Sequence, residues 1–252
     1  MTPDILIYQD YVHNHGLLHR ALAPFGHVGF CDAADILGGI LKEDIRLFVM
    51  PGGADLYYCE KLNGPGNAAI RRYVEQGGRY LGICAGAYYA CAAINWAART
   101  PHEISGPREL AFYSGMATGP IAPFMQGLDS SWLGAAPVIC GDGLKTTLCY
   151  EAGPEFSALE NGETILARYE SGAPAILACP VGRGLAVLSG PHIERVMPGA
   201  AALLYANANP HYAYDKAVME KLAPHAAGQK TVWEQTIRRL LNNDAGELTD
   251  AA

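Results

Sequence analysis

Short apolar runs recur along the first part of the chain, each closed by a turn signal and followed by residues at helical spacing. Residues 4–8 (DILIY) form the first run and predict a strand. Residues 9–16 read as a loop with helix-start character. Leu17, Leu18, Ala21 and Leu22 then predict a helix that ends at Phe25-Gly26. Residues 27–30 predict a second strand and 33–41 a second helix. The run 45–50 (IRLFVM) is a strong strand signal, broken by Pro51-Gly52-Gly53. A helix over 66–76 stops at Gly77-Gly78. Tyr80-Leu81 leads into Gly82-Ile83-Cys84-Ala85-Gly86, after which Ala87 to Ala93 are small and helix-compatible. Strands alternating with helices predict an α/β fold with a mostly parallel sheet and helices on both faces. Ligands of such sheets sit beyond the carboxyl ends of the strands. The loops at Gln9, Pro51, Cys84 and after Ser189 are therefore expected to share one edge.

Between residues 100 and 189 the pattern changes to short β-rich pieces with frequent Gly and Pro. Residues 110–113 fit a strand or a helical turn. Residues 137–140, 145–150, 164–169, 175–179 and 185–189 predict strands, read as an antiparallel extension that returns to the main sheet. Residues 199–208 are Ala-rich and predict a helix. In 231–241, Val232, Ile237, Leu240 and Leu241 fall on one helical face. The expected organisation is one domain over 1–242, with a helical C-terminal part from about 195. Residues 243–252 read as a flexible tail.

Composition narrows the function. Half of the 252 residues are hydrophobic, enough for a sizeable core, and the net charge is −7. Lys and Arg form no block, which argues against nucleic acid as a partner. The seven cysteines are odd in number, irregularly spaced and include no CxxC pair, which points to a reducing compartment. The N-terminus enters a strand pattern at once, and no charge-free apolar run approaches a membrane span. A cytoplasmic protein with no membrane association is expected, and nothing in the sequence sets an oligomeric state.

The chemistry concentrates at strand ends. Gly82 and Gly86 flanking Cys84 suit a nucleophile elbow, in which a strand turns abruptly into a helix. A thiol at a helix N-terminus is expected to have a lowered pKa. The plainer alternative is a buried structural cysteine on a glycine-packed turn. A cysteine nucleophile needs a base, a group to orient the base, and donors for an oxyanion. His192 follows the strand 185–189, and Glu194 lies two residues on, giving Cys-His-acid logic. The N–H groups of Gly52, Gly53 and Ala85 are the oxyanion-hole candidates.

With these pieces in this order, the chain resembles the class I glutamine amidotransferase-like superfamily, whose pattern is a Gly-x-Cys-x-Gly elbow and a later His-x-Glu. Within it, PGGADLYY, LNGPGNAAIRRYVEQGGRYLGICAGAYYA, CYEAGPEF and LSGPHIE resemble the biotin–protein ligase N-terminal-domain-like family. The likeness spans residues 5–194. It implies a flavodoxin-like sheet with Cys84, His192 and Glu194 as the triad, and it does not imply biotin ligase activity. Glutamine-using relatives commonly carry Gln at the fourth position after the cysteine. Here that position is Tyr88, whose ring lacks an amide's donor–acceptor pair, which argues against glutamine as substrate.

The leading expectation is a cysteine-dependent amidohydrolase or acyl-transfer enzyme, acting on a small molecule that carries an amide or ester. No cofactor and no metal are expected. One alternative is a non-catalytic binding or regulatory module. Another is a reactive-thiol stress protein, as in the parkinsonism-protein-like members of the superfamily. Those relatives place an acidic residue before the elbow, where this chain has Arg79-Tyr80-Leu81. Asp55, Tyr88, Tyr150 and Glu151 are the candidates for the substrate pocket. For Asp55, with Tyr57 and Tyr58, a solvated loop is the plainer reading. For Tyr150 and Glu151 it is a turn with solvated carboxylates. His13, His15 and His19 invite a metal reading, but no carboxylate or thiol cluster completes a site, so structural or surface roles are expected. Cys91 is read as a core residue on the helix after Cys84.

Overall fold

The computed structural model describes residues 2–10, 12, 15–157, 159, 162–205 and 209–242. His13, the 206–208 end of the Ala-rich segment and the tail from 243 lie outside these described residues. The strands β1 (Ile5–Tyr8), β2 (Val28–Cys31), β3 (Leu47–Met50), β4 (Arg79–Ile83) and β13 (Gly184–Ser189) run parallel, side by side, in the order β2-β1-β3-β4-β13. Every residue of β1 and β3 is buried. Successive residues feed opposite cores. Leu6, Tyr8, Phe48, Met50 and Tyr80 enter one, and Ile5, Ile7, Leu47, Val49, Leu81 and Ile83 the other. That is why these strands read as continuous apolar runs: both faces are covered.

Helices supply the covers. On the first face lie α2 (Ala33–Leu37), α3 (Asp55–Leu62) and α4 (Pro65–Glu75), through Ile36, Tyr58, Leu62, Ile70 and Val74. On the second lie α1 (His15–Leu22) and α7 (Ala226–Leu241), through Leu18, Leu22, Val232, Trp233, Ile237 and Leu240. Helix α2 is shorter than its sequence predicts. It stops before Gly38, and Gly39 takes φ +84°, a conformation that leaves the helix at no steric cost. Helix α3 replaces the expected solvated loop. Its apolar residues run consecutively from Leu56 to Cys59 and so show no helical spacing, but Tyr58 and Leu62, four apart, anchor one face.

The antiparallel extension belongs to the same sheet. Strands β12 (Pro174–Val181), β11 (Thr164–Tyr169), β8 (Leu133–Cys140) and β9 (Lys145–Glu151) continue outward from β13, giving nine strands. The sheet curls, so that Cys149 on the outermost strand β9 bridges to His192, just past β13. Helix α6 (Tyr212–Leu222) packs on this part through Val218, Met219 and Leu222.

A second sheet departs from expectation. The helix after Cys84, α5, covers only Ala85–Tyr89, and the chain goes straight into strand β5 (Cys91–Trp96). Strand β5 joins β6 (Ile104–Pro107), β7 (Tyr113–Gly119) and the short β10 (Glu155–Phe156) in a four-stranded sheet, ordered β10-β7-β5-β6. Helix propensity of the small residues Cys91 to Ala93 is overridden by pairing with β6 and β7. Of 110–113, only Tyr113 is in a strand. Cys91 is buried, as expected, but on a strand, where its thiol donates to Ala87 O at 3.2 Å. Among the described residues no helix is long and apolar enough to cross a membrane.

Candidate active site

Strand β4 must leave the sheet and become α5 within one residue, and Cys84 makes that step at φ 52° and ψ −107°. A non-glycine residue there stores about 1–3 kcal/mol of backbone strain. The corner is pinned on several sides. Cys84 N–H donates to Ser189 O at 2.8 Å, and the Ala87 and Tyr88 N–H groups both close on Cys84 O at 3.0 Å. Gly86 N–H donates to Pro51 O at 3.1 Å, and a Cβ on Gly86 would run into the Met50 carbonyl. Gly86 is thus a close-approach residue between α5 and β3.

The second part arrives from β13. His192 N–H donates to Cys149 O at 2.8 Å, fixing the loop to β9. The His192 ring places Nδ1 at 2.7 Å from Glu194 Oε1. A carboxylate only accepts, so Nδ1 donates, and Nε2 of the neutral ring carries the lone pair. Both residues are nearly dry, at 3 % and 7 % exposed. Burial alone would raise the Glu194 carboxyl pKa, but His192 and then Arg195 outweigh it and hold the carboxyl below its ordinary value.

Gly52 joins the two parts. A Cβ built there would lie 2.7 Å from His192 Cε1, 3.3 Å from Nε2 and 3.5 Å from Cys84 Cβ. Cysteine and imidazole are neighbours across one bare backbone position. Among the described residues, no backbone carbonyl takes up the N–H of Gly52 or Ala85, and the Ala85 N–H donates to the Cys84 sulfur. Gly53 is engaged in a bridge with Val12.

The thiol itself differs from expectation. Its Sγ donates to the Glu151 backbone carbonyl at 3.2 Å. Burial pushes its pKa well above the ordinary value and the Glu151 carboxylate adds to this, while Arg195 and the Ala85 N–H act the other way. The helix dipole argument fails here because α5 is barely more than a turn and the sulfur is removed from water.

Sequence reasoning missed Arg195, which directly follows Glu194. Its side chain is 1 % exposed, and Nη1 lies 2.5 Å from Glu151 Oε2. Arg195 Nε is 3.5 Å from Glu194 Oε1, within ion-pair range but without hydrogen-bond geometry. The same Glu151 oxygen is 3.9 Å from His192 Nε2. The only available sequence signal was a charge abutting the His-x-Glu motif.

These groups border a cavity of about 400 Å³. Gly52, Gly53, Asp55, Cys84, Ala85, Tyr88, Glu151, His192 and Arg195 line it, and the second sheet closes it with Ile94, Trp96 and Ile104, alongside Trp132. Trp96 and Trp132 meet edge to face at 5.6 Å. Asp55 is not solvated: it pairs with buried Arg108 at 2.7 Å, and burial is the main cause of its raised pKa, against the pull of Arg108. Tyr88 forms part of the wall, with its hydroxyl donating to Ala152 O at 3.2 Å. Tyr150 lies outside the cavity lining. Its hydroxyl accepts from Ile121 N–H at 2.6 Å and donates to Gly153 O at 2.7 Å, bracing the extension from behind. The N-terminal histidines hold an aromatic contact, with His15 and His19 each 5.5 Å from the Phe30 ring. Among the described residues no group of three or more His, Cys, Asp or Glu could hold a metal ion.

Comparisons agree with this architecture. The chain is 36% identical over 209 residues to an uncharacterized protein of Chlamydia muridarum, covering 80% of this chain and 78% of that protein. It is 31% identical over 196 residues to the biotin–protein ligase of Schizosaccharomyces pombe, covering 72% of this chain but 31% of the ligase. The fold is similar to that of a glutamine amidotransferase from Thermotoga maritima, with a TM-score of 0.56 at 14% identity, covering 94% and 97% of the two chains. At that identity the likeness is one of fold, the flavodoxin-like α/β architecture of class I glutamine amidotransferases. Residues 11–244 match the family described as biotin-protein ligase, N terminal, and the chain belongs to that family.

Proposed function

We propose that the protein is a cysteine-dependent enzyme that hydrolyses or transfers the acyl group of a small amide or ester. The observation that carries this reading is the strained Cys84 corner, set against the His192–Glu194 pair across the bare backbone of Gly52. In the reaction the Cys84 S–H proton passes to His192 Nε2 as sulfur attacks the acyl carbon. The oxyanion accepts from the N–H groups of Gly52 and Ala85. His192 returns the proton to the leaving amine or alcohol, leaving a thioester. Water, or an acceptor nucleophile, attacks the thioester, its proton goes through His192 to the departing thiolate, and the thiol is restored. Glu194 accepts from Nδ1 throughout and stabilises the imidazolium. Burial raises the thiol's pKa, which in this reading has proton transfer accompany attack.

Glutamine fits this cavity poorly. The Tyr88 hydroxyl is committed to Ala152 O, and the ring offers no amide-like partner. Buried amide groups left unpaired cost about 1–3 kcal/mol each.

The test is a screen of amides and esters, with L-glutamine included, comparing the wild type with Cys84→Ala. Turnover of an amide or ester should fall at least about 10³-fold in the variant, with negligible ammonia release from glutamine. Turnover that survives Cys84→Ala would refute the reading. A second reading, a binding module that keeps the fold, draws on the thiol's hydrogen bond to Glu151 O rather than to the imidazole. Ligand binding without any Cys84-dependent turnover would select it.

A further inference from the structure

We infer that Arg195 is the anchor for a carboxylate on the substrate, and that Glu151 holds that place as an internal surrogate which the substrate displaces. The inference rests on reading the cavity as the substrate site. It assigns the substrate class as a small acyl compound with a free carboxylate and an apolar body.

A guanidinium presents five N–H donors in a planar fork suited to two-point contact with a carboxylate. Arg195 is buried at the cavity wall, yet only Nη1 has an anion within hydrogen-bond distance, Glu151 Oε2 at 2.5 Å; Glu194 Oε1 stands 3.5 Å from Nε, and the Cys149 sulfur is 4.0 Å from Nη1. Nε and Nη2 make no hydrogen bond among the described residues. An arginine kept only for stability would be expected to use its fork more fully.

The partners of the pair are unequal. Glu151 is 30% exposed and faces the cavity from the last position of β9, whereas Arg195 is fixed in the interior. The buried carboxylates nearby are held by other partners, Glu194 by His192 and Asp55 by Arg108, both at 2.7 Å. Glu151 is therefore the carboxylate that can swing out towards solvent and surrender its cation. Its Oε2 also stands 3.9 Å from His192 Nε2, so a carboxylate in its place lies beside the base. Much of the remaining wall is apolar or aromatic, with Ile94, Ile104, Trp96 and Trp132 in the lining beside the acidic Asp55 and Glu60. A ligand matching both ends carries its charge near the scissile bond and an aliphatic or aromatic group further out.

Binding can be read without turnover, in a Cys84→Ala background, by calorimetric titration with acetate, benzoate and hippurate, and with the neutral hippuramide. Glu151→Gln is near-isosteric and should tighten binding of at least one carboxylate about tenfold, with no gain for hippuramide. The gain should persist at about 0.3 M salt, where diffuse charge effects are largely screened. Arg195→Lys, which keeps the charge but loses the fork, should abolish the gain. Equal carboxylate affinities with and without the Glu151→Gln substitution, or no carboxylate binding to either protein, would overturn the inference. Carboxylate binding with no Cys84-dependent turnover would leave this site standing and remove the catalytic reading alone.

Discussion

In β1 and β3 every side chain is buried and successive residues enter different hydrophobic cores. In β8, β9 and β11, at the other end of the same sheet, buried positions are interspersed with half-buried and exposed ones. The parallel half supplies a stiff frame, the Cys84 corner and the Gly52 backbone. The antiparallel half curls back to supply Glu151 and, through the Cys149–His192 bridge, to steady the loop bearing His192, Glu194 and Arg195. The charged pair joins the two halves, with Arg195 on the loop past β13 and Glu151 at the end of β9. Damage to the two halves should therefore read out differently.

The largest contrast is between Arg195→Met and Ile7→Val. The first strands the Glu151 and Glu194 carboxylates without their buried cation and should cost about 3–5 kcal/mol. The second trims one methylene from the frame and should cost about 0.5–1.5 kcal/mol. Urea denaturation measures both, and equal losses would erase the contrast. Next is the corner itself. Cys84→Gly should be more stable than Cys84→Ala by about 1–2 kcal/mol, because only glycine adopts φ 52° and ψ −107° without strain. Tyr88→Phe should cost about 0.5–1.5 kcal/mol by freeing Ala152 O, with turnover little changed.

The smallest effect is in the acid limb. The Glu194 carboxyl pKa is lowered in the fold, since His192 and Arg195 outweigh burial. Its contribution to stability is thus present above the unfolded value of about 4.3 and is lost as pH falls through the folded value. The urea midpoint should decline below about pH 4 in the wild type and decline less steeply in Glu194→Gln. An identical acid limb in the two proteins would deny Glu194 this role.

What the sequence makes legible follows the same division. Residues 5–8, 47–50, 79–83 and 184–189 are readable because two-sided burial leaves continuous apolar runs punctuated by Gly and Pro. Cys84, His192 and Glu194 are readable because each stands at the end of such a run. The second sheet is not, since Ala87 to Ala93 read as one helix-compatible run, and Cys91 to Ala93 become strand by pairing with β6 and β7, later in the chain. Tyr150 and Glu151 are adjacent on a strand, so their side chains point to opposite faces, and no local pattern says which one meets the cavity. Arg195 is illegible for another reason. Its meaning depends on Glu151, which the curl of the sheet brings to it from a distant part of the sequence.

Gly52 gives the molecule an uneven tolerance of mutation. It lies outside the strands and helices, on the turn past β3, so replacing it removes no strand or helix residue. Any side chain there would press on the His192 ring and crowd Cys84. A single-residue change at this position would uncouple folding from chemistry. Lineages that abandon the reaction could keep the domain as a scaffold after one step, and descendants in which this position is no longer glycine would be the place to look for them.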